Sequence, residues 1–315
     1  MKSFIILFLF FLNLNAFVIK NVTSKNVLSS FDRIKQSLDS VVSINLFNQT
    51  DTRMQGVGSG VLVSSSGYII TNYHVIKNSA NIKISFSESK QKYNAKIIGF
   101  DKASDIAVLK IHKTKHNAIY FANSNKLRLS DEVFAIGNGF GLGTTVSKGI
   151  VSALNKRSIG IYEYENLIQT DATINPGNSG GALVNSNGNL IGINSVIYTR
   201  SGGSEGVGFA IPSNTVKIIS TAIINKGSYN RGYLGVSFEE KKNKVIIESI
   251  DAKSQAFKNG LVIGDVILSI NSEPIDEIGD VLYILGLTQV GETISIKYLH
   301  KNRKYIKNIT LLKRP

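Results

Sequence analysis

The nonapeptide Asn175-Pro176-Gly177-Asn178-Ser179-Gly180-Gly181-Ala182-Leu183 gathers three glycines and two asparagines around one serine, directly before an apolar run. A serine hydroxyl is a weak nucleophile by itself. It becomes effective when an imidazole takes its proton and backbone N–H groups hold the oxyanion that forms on attack. Flanking glycines suit both needs, because they leave no Cβ in the path of a substrate carbonyl and permit positive φ angles that turn successive N–H groups inward. The same residue types also build ordinary turns. The nonapeptide therefore leaves both readings open, and the rest of the chain decides.

The chain has 315 residues, enough for two domains of ordinary size. Its 43% hydrophobic and 18% charged content is that of a folded protein. Lys2, the apolar run at 4–12 and then Asn13-Leu14-Asn15-Ala16 form a basic start, a short hydrophobic stretch and a small residue at a cleavage point. Residues 1–16 are read as a secretory signal peptide. The alternative is an uncleaved anchor extended by Phe17-Val18-Ile19, although Asn13 and Asn15 interrupt a run already short for a bilayer. Both place the folded part outside the cytoplasm. The absence of cysteine excludes disulfides, thiol redox chemistry and Cys-ligated zinc. The net charge of +14 is spread along the chain, with no dense basic block interleaved with aromatics, so no nucleic-acid partner is expected.

From residue 41 the chain alternates short apolar runs with Gly, Asn and Ser, at 41–46, 60–63, 68–71, 82–86, 106–111, 133–136, 144–151, 190–196 and 206–211. Such spacing predicts an all-β barrel or sandwich. A helix follows, with Ser213 as its expected N-cap, Val216, Ile219, Ala222 and Ile223 on one face and Gly227 closing it. It ends the first domain, 40–226, behind a polar lead-in at 17–39 that carries an amphipathic stretch at 31–38. Beyond it, 227–315 reads as a compact mixed α+β domain.

A serine nucleophile needs a general base, and the chain has four histidines. His112 and His116 lie in a Lys-rich loop and His300 at a turn beside Lys301, so these three are read as solvated. His74 instead ends the strand-like Tyr68-Ile69-Ile70-Thr71-Asn72-Tyr73. Asp105 heads the apolar run Ile106-Ala107-Val108-Leu109, where a buried carboxylate calls for a partner such as an imidazole N–H. His, Asp and Ser then occur in the chymotrypsin-type order. Asp101 and Asp171 are alternatives that order alone leaves open. The glycines at 137–143 fail the G-x-G-x-x-G test, with Leu142 or Thr144 at the sixth place, and no βαβ pattern flanks them.

Seven motifs in order, Gly58-Ser59-Gly60, Thr71-Asn72-Tyr73-His74-Val75, Asp105-Ile106-Ala107-Val108-Leu109, Gly137-Asn138-Gly139-Phe140-Gly141, Gly149-Ile150-Val151-Ser152-Ala153-Leu154, Gln169-Thr170-Asp171-Ala172 and Gly177-Asn178-Ser179-Gly180-Gly181, together resemble the HtrA/Deg family of PDZ-bearing serine proteases. The resemblance runs from about residue 41 to the end. It implies a mainly β architecture: a chymotrypsin-like double β-barrel followed by one α+β PDZ domain. It further implies Ser179 as nucleophile, His74 as general base and then acid, and Asp105 as the residue that orients His74. Backbone N–H groups of Gly177 and Ser179, with Asn178 as a further candidate, would form the oxyanion hole. Residues 137–143 correspond to an active-site loop of the family in which proline is usual where Gly139 stands. Ile193, Asn194 and Ser195 resemble the strand beside the S1 pocket, and the absence of an acid there points to aliphatic P1 residues.

In the second domain Arg231-Gly232-Tyr233-Leu234-Gly235-Val236, Gln255-Ala256-Phe257-Lys258-Asn259-Gly260-Leu261 and Gly264-Asp265-Val266-Ile267 resemble a PDZ domain, with Tyr233, Leu234, Gly235 and Val236 as its carboxylate-binding loop. Such a loop captures a chain terminus through backbone N–H donors. The expected activity is an ATP-independent serine endopeptidase, without cofactor or metal, acting in the periplasm on unfolded or misfolded proteins as a homotrimer or higher assembly, with C-terminal peptides as PDZ ligands. Two alternatives stay open: a membrane-anchored, PDZ-gated regulatory protease that cleaves a signalling partner, and a chaperone or binding module.

Overall fold

A computed structural model describes residues 30–47, 54–87, 89, 91–138, 142–197 and 205–314. The leader expected at 1–16, most of the lead-in, Gly139 and the loop after Ile197 lie outside the described residues. Helix α1 (Ser30–Ser40) contains the amphipathic stretch read from the sequence. Its buried Ile34 joins the core shared by the two barrels, and Ser37 and Ser40 donate to the carbonyls of Gly188 and Asn117. The end of the lead-in thus docks on the two-barrel body.

Strands β1 (Val41–Phe47), β2 (Met54–Ser64), β3 (Tyr68–Asn72), β4 (Asn81–Phe86), β5 (Lys92–Asp101) and β6 (Ile106–Lys110) close one barrel in the order β1-β2-β3-β6-β5-β4. Strands β7 (Glu132–Gly137), β8 (Thr145–Lys156), β9 (Leu167–Thr170), β10 (Ala182–Asn185), β11 (Leu190–Ile197) and β12 (Gly208–Pro212) close a second, in the order β10-β11-β12-β9-β8-β7. Period-two alternation explains why their strands read as unbroken apolar runs. In β6, Ala107 and Leu109 point into the first barrel, whereas Ile106 and Val108 point to the core between barrels. In β7, Val133 and Ala135 fill the second barrel while Phe134 and Ile136 face the seam. Both faces are buried, so both must be apolar.

Helix α3 (Ser213–Lys226) lays Val216, Ile219, Ala222 and Ile223 on that same inter-barrel core. Gly227 closes it as read from the sequence, its N–H donating to the Ile223 carbonyl at 2.8 Å. Ser213 does not cap it. Ser213 is the first helical residue, and its hydroxyl donates to the Ala122 carbonyl, which anchors the helix to the second barrel.

The remaining chain forms a sheet of β13 (Val236–Glu240), β14 (Val245–Ile250), β15 (Val266–Ile270), β17 (Thr293–His300) and β18 (Arg303–Thr310), with the two-residue β16 (Glu273–Pro274) paired to β15. Helices α4 (Gln255–Lys258) and α5 (Ile278–Leu287) accompany it, over a separate core that includes Leu234, Ile267, Val281 and Ile296. The two bodies are tied at one joint. Arg231 makes a bidentate pair with buried Asp101, at 2.6 Å for both bonds, and lies over the rings of Tyr164 and Tyr229. A second pair joins Arg157 to Asp280 of α5.

Candidate active site

Antiparallel register brings the first two side chains together. Asn72 of β3 faces Ile106 of β6, so His74, two residues past Asn72, falls beside Asp105, the residue before Ile106. Helix α2 (Tyr73–Ile76) begins there. Asp105 sits in the left-handed region with φ 59°, at the end of a short turn, which ends β5 and aims the carboxylate back at α2. His74 Nδ1 lies 2.7 Å from Asp105 Oδ2, and the His74 backbone N–H donates to Oδ1 at 2.8 Å. The carboxylate is 3% exposed and the imidazole 37%. A buried carboxylate needs several donors, and two more reach Oδ2: the Tyr162 hydroxyl at 2.8 Å and Ser195 Oγ at 3.3 Å.

Ser179 arrives from the second barrel. Its Oγ donates to the carbonyl of Ser195 at 2.8 Å, so in this conformation the hydroxyl is turned to β11, and no hydrogen bond joins it to His74. Ser195 thereby touches both halves of the site, with its Oγ on Asp105 and its carbonyl on Ser179.

The serine loop is clamped to the first barrel by the fully buried Ser59. The Ser59 N–H donates to the Ser179 carbonyl at 3.0 Å, Ser59 Oγ donates to the Gly177 carbonyl at 2.7 Å, and that same Oγ accepts from Asn138 N–H at 2.8 Å. Gly180 is what allows this approach. Its φ is +83°, and a Cβ there would stand 2.2 Å from both the Ser59 carbonyl oxygen and Thr71 Oγ1.

The N–H of Asn178 closes a turn onto the Asn175 carbonyl at 2.9 Å. In this conformation that hydrogen is therefore already engaged. The N–H groups of Gly177 and Ser179 make no backbone hydrogen bond among the described residues. Ile193, Asn194 and Ser195 are each 1% exposed or less. They support the site from behind: Asn194 Nδ2 reaches the carbonyls of Ile136 and Ala182, and the Gly180 and Gly181 backbone pairs with Asn194.

The rival carboxylates have other work. Asp101 holds Arg231 and Ser104, and Asp171 accepts from the Ile150 N–H at 2.7 Å. Two histidines read as solvated are half-buried and have partners: His116 stacks on Phe86 with centroids 3.7 Å apart, and His300 Nδ1 lies 2.7 Å from Asp265 Oδ1. His112 is exposed. Sequence reasoning missed Tyr162 entirely and quoted Ser59 only as part of a motif. Nothing in the pattern of residues around Tyr162 marks it; the Gly58-Ser59-Gly60 motif does mark a crowded backbone.

In the second body, the Tyr233 N–H donates to the Leu312 carbonyl at 2.8 Å, whereas the N–H groups of Leu234 and Gly235 make no backbone hydrogen bond among the described residues. Gly235 has φ +81°, and a Cβ would stand 2.1 Å from Ser254 Cβ, so only glycine fits this turn. Leu234 is buried and Val236 opens β13, beside these donors. Among the described residues no group of three His, Asp or Glu side chains could hold a metal, and no helix is long and apolar enough to cross a membrane.

Two family models match the chain: a trypsin-like peptidase domain over residues 58–193 and a PDZ domain over 232–311. The periplasmic serine endoprotease DegP of Escherichia coli K12 is 41% identical over 273 residues, covering 82% of this chain and 57% of DegP. The periplasmic pH-dependent serine endoprotease DegQ of the same organism is 37% identical over 305 residues, covering 92% of this chain and 67% of DegQ. The chain thus spans a little over half the length of the DegP relatives it matches. Among solved structures, the HtrA-type protease AlgW with a tripeptide superimposes with a TM-score of 0.80 at 34% identity, over 91% of this chain and 98% of AlgW. A serine endoprotease from Yersinia pestis gives 0.70 at 32% identity, over 92% of this chain and 100% of that one. With a trypsin-like peptidase match followed by a PDZ match, and relatives of this identity and coverage, the chain belongs to the HtrA/Deg family of PDZ-bearing serine proteases.

Proposed function

We propose that this protein is an ATP-independent serine endopeptidase in which Ser179, His74 and Asp105 act as a triad. The reading is carried by the double contact of Ser195, which ties the Asp105 carboxylate and the Ser179 hydroxyl to one residue beside His74. For reaction, Ser179 Oγ turns from the Ser195 carbonyl to the substrate carbonyl carbon, and its proton passes to the free Nε2 of His74. Asp105 fixes the Nδ1–H tautomer that makes this possible and stabilises the imidazolium. The N–H groups of Gly177 and Ser179 hold the oxyanion. His74 then gives its proton to the leaving amine. Water, deprotonated by the same imidazole, hydrolyses the acyl-enzyme and restores Ser179.

The substrates are unfolded or misfolded proteins in the periplasm, reached after export by the leader at residues 1–16. The periplasmic names of DegP and DegQ support that compartment. The Leu234 and Gly235 N–H groups, with the edge of β13, bind C-terminal peptides; AlgW, solved with tripeptide and decapeptide, supports a peptide-binding role. The working assembly is a homotrimer or higher.

The test is degradation of a fluorescently labelled unfolded protein by the mature chain and by Ser179→Ala, each with and without apolar C-terminal peptides. Cleavage lost in Ser179→Ala is the expected result. Cleavage that survives it, or its absence from the wild-type protein under both conditions, would sink the reading.

A further inference from the structure

The loop between β8 and β9 carries a carboxylate that pairs with no cation among the described residues. Glu165 is 5% exposed, and its two oxygens accept four consecutive backbone N–H groups, from Ile159 at 2.6 Å, Gly160 at 3.2 Å, Ile161, and Tyr162 at 2.7 Å. Four donors converging on one buried carboxylate compensate its desolvation and fix the backbone of residues 159–162. The consequence lies at the end of that turn. Tyr162 points its hydroxyl into the seam between the barrels, where it donates to Asp105 Oδ2 at 2.8 Å and meets Ser195 Oγ at 2.5 Å.

Asp105 Oδ2 is the same oxygen that faces His74 Nδ1. Tyr162 therefore shares the one acceptor atom on which the orientation of the base depends. We propose that Tyr162 is a positioning residue for the Asp105–His74 couple, held in place by the Glu165-centred turn. The inference rests on the triad reading above and adds a fourth side chain to it.

Two physical consequences follow from the shared oxygen. A donor on Oδ2 restricts rotation of the carboxylate, so the imidazole is offered one geometry. It also draws charge from that oxygen, so the imidazolium form of His74 is stabilised less than by an otherwise bare carboxylate. Burial, and then the Asp105 charge, push the Tyr162 phenol well above its ordinary range, so it stays a donor throughout the working pH. The charged groups facing its hydroxyl side are Asp105 and, across its own turn, Glu165. Arg231, near the base of the loop, is committed to Asp101.

The test uses Tyr162→Phe, which removes one oxygen and keeps the ring. A fluorophosphonate probe, which reports the reactivity of the serine directly, is applied to the full mature chain from acid to alkaline pH in the presence of an apolar C-terminal peptide. Reaction requires neutral His74, so its rate falls on the acid side. With Tyr162 gone, Oδ2 carries more charge, the protonated imidazole persists to higher pH, and the acid limb moves up by more than about 0.3 pH units. An acid limb that moves less than that, or moves down, overturns the proposal.

Should the variant be too unstable to assay at the working temperature, the downfield Nδ1–H proton of His74 is recorded by NMR in the cold, where a destabilised protein remains folded, in Ser179→Ala with and without Tyr162→Phe. A further downfield shift on loss of the hydroxyl is expected; an unchanged or upfield position overturns the proposal. Failure of the underlying triad reading is a different result, namely a wild-type protein that the probe does not label at Ser179.

Discussion

The described residues contain two Asp–His couples with almost the same geometry, a buried carboxylate facing a part-exposed imidazole, one in each body. His74 Nδ1 is 2.7 Å from Asp105 Oδ2, and His300 Nδ1 is 2.7 Å from Asp265 Oδ1. The carboxylates are 3% and 1% exposed and the imidazoles 37% and 35%. Their surroundings separate them. Asp105 also collects two hydroxyls, from Tyr162 and Ser195, and Ser195 leads on to Ser179 and its glycine turn. Among the described residues the Asp265 side chain collects, besides His300, the N–H of Val262 at 3.0 Å alone, and no hydroxyl bonds either it or His300. The rings of Tyr298 and Tyr305 flank the second couple instead. An oriented imidazole is thus a general building unit. It becomes a proposed base only where a nucleophile and free N–H donors converge beside it.

The strongest way to break this comparison is to exchange roles. Ser179→Ala or His74→Ala should cut kcat for peptide hydrolysis by a factor on the order of 10⁶, as removal of either member of a serine-histidine unit does elsewhere. His300→Ala should leave kcat on a short peptide within about twofold, since nothing near it reacts. Initial rates on one peptide compare all three, and a large kcat loss in His300→Ala would erase the distinction.

Next in size is the carboxylate. Asp105→Asn should lower kcat by about 10⁴-fold, because an amide nitrogen facing Nδ1 favours the tautomer with the proton on Nε2. The effect of Asp265→Asn on the same reaction should be negligible. A third, smaller effect belongs to the free donors of the second body. Gly235→Ala forces a Cβ into Ser254 at a positive φ, and should weaken binding of an apolar C-terminal peptide by about tenfold or more. Fluorescence anisotropy of a labelled peptide would measure it. Unchanged affinity would move the peptide site away from this loop.

How much of this was readable from the chain follows the kind of constraint. Ser179 and His74 stand out in the sequence because the proposed chemistry fixes their residue type, Asp105 only through the family resemblance, since Asp101 and Asp171 fit the order as well, and the barrels because strands buried on both faces are apolar throughout. The resemblance places Ser195 on a strand beside the S1 pocket, but that it is 1% exposed with its Oγ on Asp105 is visible only in the fold. Tyr162 left no trace: it comes 57 residues after Asp105, in a loop whose shape depends on Glu165 gathering N–H groups, which no periodicity reports. The turn beside Lys301 makes His300 read as solvated; its partner is 35 residues away and reaches it only through β15 and β17 pairing, with Val266 opposite Leu299. The amphipathic stretch of α1 was visible, but the carbonyls of Gly188 and Asn117 that receive it were not. Local chemistry and pattern are written locally. Partners joined by register or by an irregular loop need the fold.

The smallest prediction concerns what the second couple does contribute. Asp265 accepts the Val262 N–H and keeps the turn before β15 closed, while its backbone carbonyl receives Ile247 N–H at 2.9 Å and so holds β14 against that turn. Removing the side chain by Asp265→Ala leaves a part-buried N–H without its acceptor, at a cost of about 1–3 kcal/mol. His300→Ala should cost less, roughly 1 kcal/mol or below, because a third of the imidazole is in water and solvent screens its pairing. Amide hydrogen exchange is the suitable measurement, since global unfolding of a two-body chain need not be two-state. Faster exchange at Val262 and along β15 in Asp265→Ala, a weaker effect in His300→Ala, and full protease activity in both would place this couple with the sheet. Normal exchange combined with lost hydrolysis would instead mean that the two couples are functionally linked across the Arg231–Asp101 joint, and the contrast between them would have to be abandoned.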